Sequence, residues 1–172
     1  ADANGNAGIY LNDSPLSTVR ECTTFANKLI GVFVSGDHVA PDSGGTTVEL
    51  CTSYNNGPDF GFGQGILIDS FSNDCVVRNN LAYGNRRAGI QIGLDSGGGS
   101  NTGAEVYNNT IHVTNAGALS EVGFLSQRAG TTWDIRNNVI VVDDVTGCAA
   151  IEIGVSDNGG QVSDYNTIYL SG

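Results

Sequence analysis

An internal repeat of constant length constrains the fold of this chain more than any other feature of its sequence. A short motif, in which an apolar residue and a variable residue precede two asparagines, recurs along the chain, at 77–83, 106–111 and 135–140. Degenerate copies lie at 19–22, 48–51 and 162–168. The apolar lead residues stand at positions 19, 48, 77, 106, 135 and 162, so the first four intervals are equal and the last is slightly shorter. Such a period indicates stacked repeats, each packed on its neighbours.

Each repeat also contains a strand pattern of glycine, apolar, variable and apolar residues, as at 31–34, 65–68 and 89–92. This alternation places two side chains in a core and the middle one outside. Two further strands flank the asparagines, which tolerate the left-handed conformation of a sharp bend and can bond to asparagines above and below. We therefore predict two asparagine columns, Asn79, Asn108 and Asn137 beside Asn80, Asn109 and Asn138.

Three short strands per repeat predict an all-β fold, a single-stranded right-handed parallel β-helix of about six rungs in one domain over residues 1–172. A left-handed β-helix would show a hexapeptide period, which this sequence lacks, and a β-sandwich would not repeat so regularly. The pairing of a Gly-Ile-x-Ile strand with an Asn-Asn motif resembles the pectin-lyase-like superfamily and its PbH1-type repeats. The resemblance implies the fold rather than a reaction, because the Asn-Thr-Asp, Gly-His-Gly and Arg-Ile-Lys signatures of the polygalacturonases are absent.

The charge of the chain limits its partners. Seven Lys and Arg residues stand against eighteen Asp and Glu residues, a formal net charge of −11. Such a protein repels phosphate backbones, so nucleic acid is a poor partner.

The sequence has no apolar run long enough to span a membrane. We expect a secreted or cell-surface protein, and the absence of methionine indicates a processed piece of a longer product.

The four cysteines are compatible with oxidation but do not require it. Cys22 and Cys51 occupy the same repeat position, so we expect them to stack on neighbouring rungs. Side-by-side parallel strands seldom bring two Cβ atoms into disulfide geometry. Stacked free thiols are therefore the prediction for this pair.

Two repeats carry long insertions on both sides of the glycine strand, at 35–47, 55–63, 93–104 and 114–122. Long loops on a rigid coil commonly carry function. We expect them to wall a floor made by the outward side chains of the glycine strands. Aromatic rings beside arginines and carboxylates suit a sugar ligand. The predicted substrate-binding residues are Phe33, Gln91, Phe60, Phe62, Arg86, Arg128 and Glu152.

Four residues are candidates for catalysis. Asp69 and Asp95 follow glycine strands of adjacent rungs, where paired carboxylates could hold Ca²⁺ or divide acid and base roles in glycoside hydrolysis. Arg87 could neutralise a uronate carboxylate, and His38 could act as a general base. Each has a simpler interpretation: aspartates cap turns, arginines form ion pairs, and histidines occur on surface loops. Ca²⁺ is the one cofactor these residues suggest.

Three functions stay open on the sequence alone. The first is a carbohydrate-active domain, a lyase, hydrolase or epimerase acting on an acidic polysaccharide. The second is a structural β-helix, because neither end shows a capping element and uncapped coils invite end-to-end self-association into an extracellular fibre. The third is a glycan-binding or adhesin stalk without catalysis.

Overall fold

The computed structural model describes residues 6–36, 43–58, 62–93, 99–114, 121–143, 147–154 and 160–171. These residues contain eighteen strands and no helix. The strands form three six-stranded sheets in which every neighbouring pair is parallel, and each strand pairs with the strand three positions away in the chain. The chain is therefore a parallel β-helix of six rungs, as predicted. The described part also holds no helix that could cross a membrane.

Each sheet takes one strand from every rung. The first sheet holds β1 (Ala7–Asn12), β4 (Ile30–Ser35), β7 (Gln64–Asp69), β10 (Ala88–Ile92), β13 (Val122–Ser126) and β16 (Ala149–Ile153). The second holds β2 (Thr18–Arg20), β5 (Thr47–Glu49), β8 (Val76–Arg78), β11 (Ala104–Tyr107), β14 (Trp133–Arg136) and β17 (Gln161–Asp164). The third holds β3 (Thr23–Phe25), β6 (Thr52–Tyr54), β9 (Leu81–Tyr83), β12 (Thr110–Val113), β15 (Val139–Asp143) and β18 (Thr167–Ser171).

The repeat sets the register of the second sheet. Val48 pairs with Val77, and Val77 with Val106, so the lead residues of successive repeats are neighbours. All three valines are at most 1% exposed, inside a core of valine and isoleucine side chains. The predicted lead of the last repeat is wrong by one residue, since Ser163, not Val162, pairs with Ile135. Val162 is accordingly 50% exposed rather than part of the core.

The bend between the second and third sheets separates the two predicted asparagine columns. Asn79, Asn108 and Asn137 have φ angles of 56°, 56° and 55° and point their side chains to the solvent. The buried column behind them makes the ladder: the carboxamide of Asn80 donates to that of Asn109, and Asn138 continues the series to Asn166. The prediction of two bonded columns is thus wrong for the first column, because the left-handed residue must turn its side chain outward.

A second ladder lies at the bend between the third and first sheets. Asn27 donates to Asn56 across 2.9 Å, and Asn56 donates to Asn85 across 2.8 Å. This second ladder was not predicted from the sequence, although its three asparagines recur at the same spacing as the main motif. Two glycines of the first-sheet strands, Gly8 and Gly65, pack against this bend. A Cβ on Gly65 would lie 2.6 Å from the Asn85 carboxamide nitrogen, which explains the recurrent glycine.

All four cysteines are free thiols, as predicted for Cys22 and Cys51. These two residues continue the column of Asn80, whose carboxamide oxygen accepts a hydrogen bond from the backbone amide of Cys51 across 2.9 Å. Burial raises the pKa of the Cys75 thiol to about 11. Cys75 is therefore a neutral core side chain at physiological pH.

Apolar side chains are exposed on the last rung. Ile153, Ile168 and Leu170 are 51%, 48% and 58% exposed. A further rung, or another copy of the coil, would bury them. End-to-end self-association remains a prediction.

Candidate functional site

The outward side chains of the first sheet form one row along the coil. Tyr10 pairs with Phe33, and the row continues through Leu67, Gln91 and Leu125 to Glu152. This alignment follows the one expected from the repeat of the glycine strands. The six rungs therefore bring the predicted residues Phe33, Gln91 and Glu152 into a single line.

The middle of this row does not form an open floor. Leu67 and Gln91 are 0% exposed and Leu125 is 1% exposed, whereas Tyr10 at the first rung is 55% exposed. Leu125 packs in a small apolar cluster with Ala88 and Val122 on the outer side of the sheet. The expectation of an accessible floor is thus wrong for rungs three to five, because neighbouring side chains cover the strands there.

A chain of glutamines accounts for the burial of the polar residue in the row. The carboxamide of Gln64 donates to Gln91 across 2.8 Å, and Gln91 donates to the backbone oxygen of Gly93 across 2.9 Å. Gln91 also donates to the Gln127 carboxamide oxygen across 3.3 Å. Gln64 and Gln127 were not predicted from the sequence. Their positions in the sequence are the one signal that could have found them. Gln64 is the first residue of β7, directly after the insertion at 55–63, and Gln127 directly follows β13.

Arg87 joins the end of this glutamine chain. Its guanidinium donates to the same oxygen of Gln127 that Gln91 uses. The guanidinium carbon also lies 5.6 Å from the centroid of the Phe62 ring, in cation–π geometry. Phe62 is 39% exposed and Arg87 is half-buried. Arg87 thus contacts the predicted residue Phe62 directly and is linked to the predicted residue Gln91 through Gln127.

Two further arginines flank this group. Arg86 donates to the backbone oxygen of Pro58 and is half-buried. Arg128 follows Gln127, and a Cβ on Gly93 would lie 2.9 Å from the Arg128 Cβ, so these residues are close neighbours. We name this group the arginine patch, and it comprises Phe62, Arg86, Arg87, Gln127 and Arg128.

The other three arginines of the chain belong to a different surface. On the outer side of the second sheet, Arg78 contacts Glu49 at 2.7 Å, and Arg20 approaches the same carboxylate at 3.6 Å. Arg78 also donates to the Tyr107 hydroxyl across 3.1 Å, and Arg136 lies over the Tyr107 ring. The alternation of Arg20, Glu49 and Arg78 at one repeat position thus forms a charge ladder along the outer side of the second sheet.

One of the remaining predicted residues lies near Arg128, and three lie outside the described chain. Asp69 ends β7, is 5% exposed and pairs with Ser35; because Ile68 pairs with Ile92, Asp69 is level with Gly93, the neighbour of Arg128. His38, Phe60 and Asp95 fall outside the described residues. The described residues contain no group of three or more His, Cys, Asp or Glu side chains suited to a metal. The Ca²⁺ site at Asp69 and Asp95 therefore stays a prediction, as do the catalytic roles.

Comparison with known protein families agrees with this architecture. The model of a right-handed beta helix region matches residues 1–111, which span the first four rungs up to β12. The chain belongs to this right-handed β-helix family. No curated protein and no solved structure matches the sequence. For this right-handed β-helix the match includes Phe62, Arg86 and Arg87 but ends before Gln127 and Arg128.

Proposed function

We propose that this right-handed β-helix binds an acidic polysaccharide at the arginine patch. The observation that carries the proposal is the contact of Arg87 with Gln127 and Phe62 on the outer side of the first sheet, with Arg86 before the same strand β10 and Arg128 next to Gln127. The Phe62 ring beside Arg87 is 39% exposed, and the chain as a whole has a net charge of −11. A cationic surface in so acidic a protein is suited to a negatively charged ligand.

The side chains of the patch match the chemistry of a uronate unit. A guanidinium can bind a carboxylate through two parallel hydrogen bonds. The exposed ring of Phe62 can pack against the C–H face of a sugar. Gln127 holds Arg87 from the protein side, which reduces the ordering that ligand binding requires. The acidic remainder of the chain would repel an anion that does not reach the patch.

Binding without cleavage is the better supported form of this function. The carboxylate of Asp69 belongs to a residue that is 5% exposed, so a ligand on the surface has little access to it. The patch itself contains arginines, an aromatic ring and an amide, which are binding groups. A lyase, hydrolase or epimerase would need Asp69, Asp95 or His38 to reach the ligand.

Calorimetric titration tests the binding proposal. The probes are a short oligogalacturonate and a neutral oligosaccharide of equal length. We expect the acidic probe alone to bind at the patch, and Arg87→Gln to weaken it about tenfold, equivalent to roughly 1.4 kcal/mol. Arg136→Gln is the matched control, since it removes the same charge from the second sheet. Equal losses of affinity in the two variants, or no binding of the acidic probe to the unmodified protein, would exclude the patch as the binding site.

The same samples separate binding from catalysis. Incubation of the acidic probe with the protein, followed by analysis of product length, detects cleavage of any mechanism. We expect an unchanged probe. If the unmodified protein shortens the probe and the Asp69→Asn variant does not, the enzymatic alternative and the predicted role of Asp69 would be established instead.

A further inference from the structure

A second surface with binding chemistry lies on a different part of the coil. At the bend between the second and third sheets, a groove of about 420 Å³ crosses rungs two to four. It is formed by the exposed side of the bend and the first positions of the third-sheet strands. Its lining residues are Leu50, Cys51, Thr52, Asn79, Asn80, Leu81, Asn108 and Thr110. We call it the bend groove.

The exposed asparagines of this bend have carboxamide groups that are available to a ligand. Within the described chain, the carboxamides of Asn79, Asn108 and Asn137 make no hydrogen bond. The left-handed backbone favours asparagine but does not require it, because Leu50 and Tyr165 hold φ angles of 54° and 53° at the same repeat position. One unbonded carboxamide per rung therefore stands along three successive rungs.

The rest of the groove is apolar or hydroxylated. Leu50 and Leu81 are 45% and 38% exposed and give the groove its apolar surface. Thr52 and Thr110 contribute hydroxyl groups beside them. The lining includes no aspartate, glutamate, lysine, arginine or histidine, in a chain with eighteen acidic residues.

The geometry of the coil leaves the groove open along its axis. The second and third sheets are joined by two residues in each rung, as by Asn79 and Asn80 between β8 and β9. The long insertions join the other sheets. Backbone hydrogen bonds of the neighbouring strands run between rungs, so this bend offers no free strand edge for a peptide to extend.

We infer that the bend groove binds a neutral polysaccharide chain lying along the coil. Each carboxamide offers both a donor and acceptors, which a pair of sugar hydroxyls can satisfy together. Leucine side chains pack against the C–H groups of the sugar rings. Successive rungs are about 4.8 Å apart, a spacing similar to the length of one sugar ring, so each rung can present the same groups to the next sugar. The absence of charge selects a neutral chain over an acidic one.

This inference does not depend on the function proposed for the arginine patch. The two surfaces lie on different sheets and would take ligands of different charge. A titration that uses both classes of oligosaccharide therefore reports on each surface separately.

The decisive variant is the double substitution Asn79→Asp with Asn108→Asp. Aspartate tolerates the left-handed conformation and matches asparagine in size, but it removes the amide donor and adds a charge. Calorimetric titration would use short neutral β-glucan, mannan and xylan oligosaccharides as probes. We expect at least one to bind the unmodified protein, and the double variant to bind it at least tenfold more weakly.

Asn137→Asp is the matched control, because this residue occupies the same repeat position without lining the groove. We expect its affinity for the neutral probe to stay within twofold of the unmodified protein. Thermal unfolding of each variant checks that the coil is intact. Side-chain amide resonances provide a test free of substitution, since those of Asn79 and Asn108 should shift on addition of the neutral probe.

Three results would overturn the inference: no neutral probe binds, the double variant binds as well as the unmodified protein, or Asn137→Asp loses as much affinity as the double variant. Loss of acidic binding in Arg87→Gln has no bearing on these outcomes. The binding proposal for either surface can therefore be refuted without affecting the other.

Discussion

The carboxamide nitrogen of Asn80 donates a hydrogen bond to the carboxamide oxygen of Asn109 across 3.0 Å. The same oxygen accepts the backbone amide of Asn80 across 2.9 Å. The side chain of Asn109 in rung four thus binds two groups of Asn80 in rung three. The two residues lie at the bend, between the strands of the second and third sheets. Buried polar groups of this kind must be bonded, so the asparagine ladder ties successive rungs together.

Replacement of Asn109 should therefore weaken the whole coil. Asn109→Ala removes the acceptor of the Asn80 amide and the donor to the Val77 oxygen, and both groups are left buried. We expect a loss of about 3 kcal/mol in the free energy of unfolding, because each unsatisfied buried group costs roughly 1–3 kcal/mol. Urea denaturation measures this change.

The adjacent residue provides the control. Asn108→Gly keeps a residue that accepts positive φ and removes a side chain without hydrogen bonds, so the change should stay within about 0.5 kcal/mol. If the two variants lost similar stability, the division between a bonded and an exposed column would be wrong.

The ladder ends at Cys51, which suggests a stabilising substitution. The Cys51 sulfur lies 3.6 Å from the Val19 oxygen, the carbonyl equivalent to the one that Asn80 binds one rung later. Cys51→Asn should place a donor near this carbonyl and near the Asn80 oxygen. We expect a gain of about 1 kcal/mol, the usual net value of a hydrogen bond. Thermal and urea unfolding test this, with Cys51→Ser as a control that lacks the second donor. A loss of stability in the asparagine variant would contradict the prediction.

Acid should loosen the last rungs through Asp143. Ser171 and His112 both hydrogen-bond its carboxylate, and these bonds lower its pKa below the ordinary value of 3.8. Ionised Asp143 therefore stabilises the fold above that value, and the contribution is lost as the pH falls through the lowered pKa. The unmodified protein should be more stable than Asp143→Asn at neutral pH, and the difference should shrink in acid. Thermal unfolding across this range measures it. A difference that does not change with pH would show that the carboxylate charge is not responsible.

The repeat predicted the fold because the same spacing fixes both the hydrophobic core and the register of the sheets. Val48, Val77 and Val106 recur at equal intervals and pair as expected. The spacing could not distinguish Asn108 from Asn109, since both recur identically and only the backbone conformation decides which one turns inward. It also failed at Val162, where a shorter repeat shifted the register by one residue.

The site was harder to predict because its parts do not share the repeat. The outward row of Phe33 and Gln91 followed from strand alternation, but burial of Gln91 depends on Gln64 and Gln127, which come from other rungs. The pairing of Arg87 with Phe62 likewise joins residues on either side of β7. Contacts of this kind depend on the paths of the insertions, which no periodic pattern encodes.

The two-residue bend has a consequence for how such a chain can change in evolution. From Asn80 to Asn138, each rung accepts hydrogen bonds from one neighbour and donates them to the other through the same asparagine position. A segment of one full repeat can therefore be duplicated or deleted while the junction keeps its bonding, and the coil changes length without a new interface. The insertions between the first and second sheets carry no such asparagine ladder among the described residues. Gene duplication would lengthen this molecule in whole rungs, while the insertions could change in length and sequence one at a time.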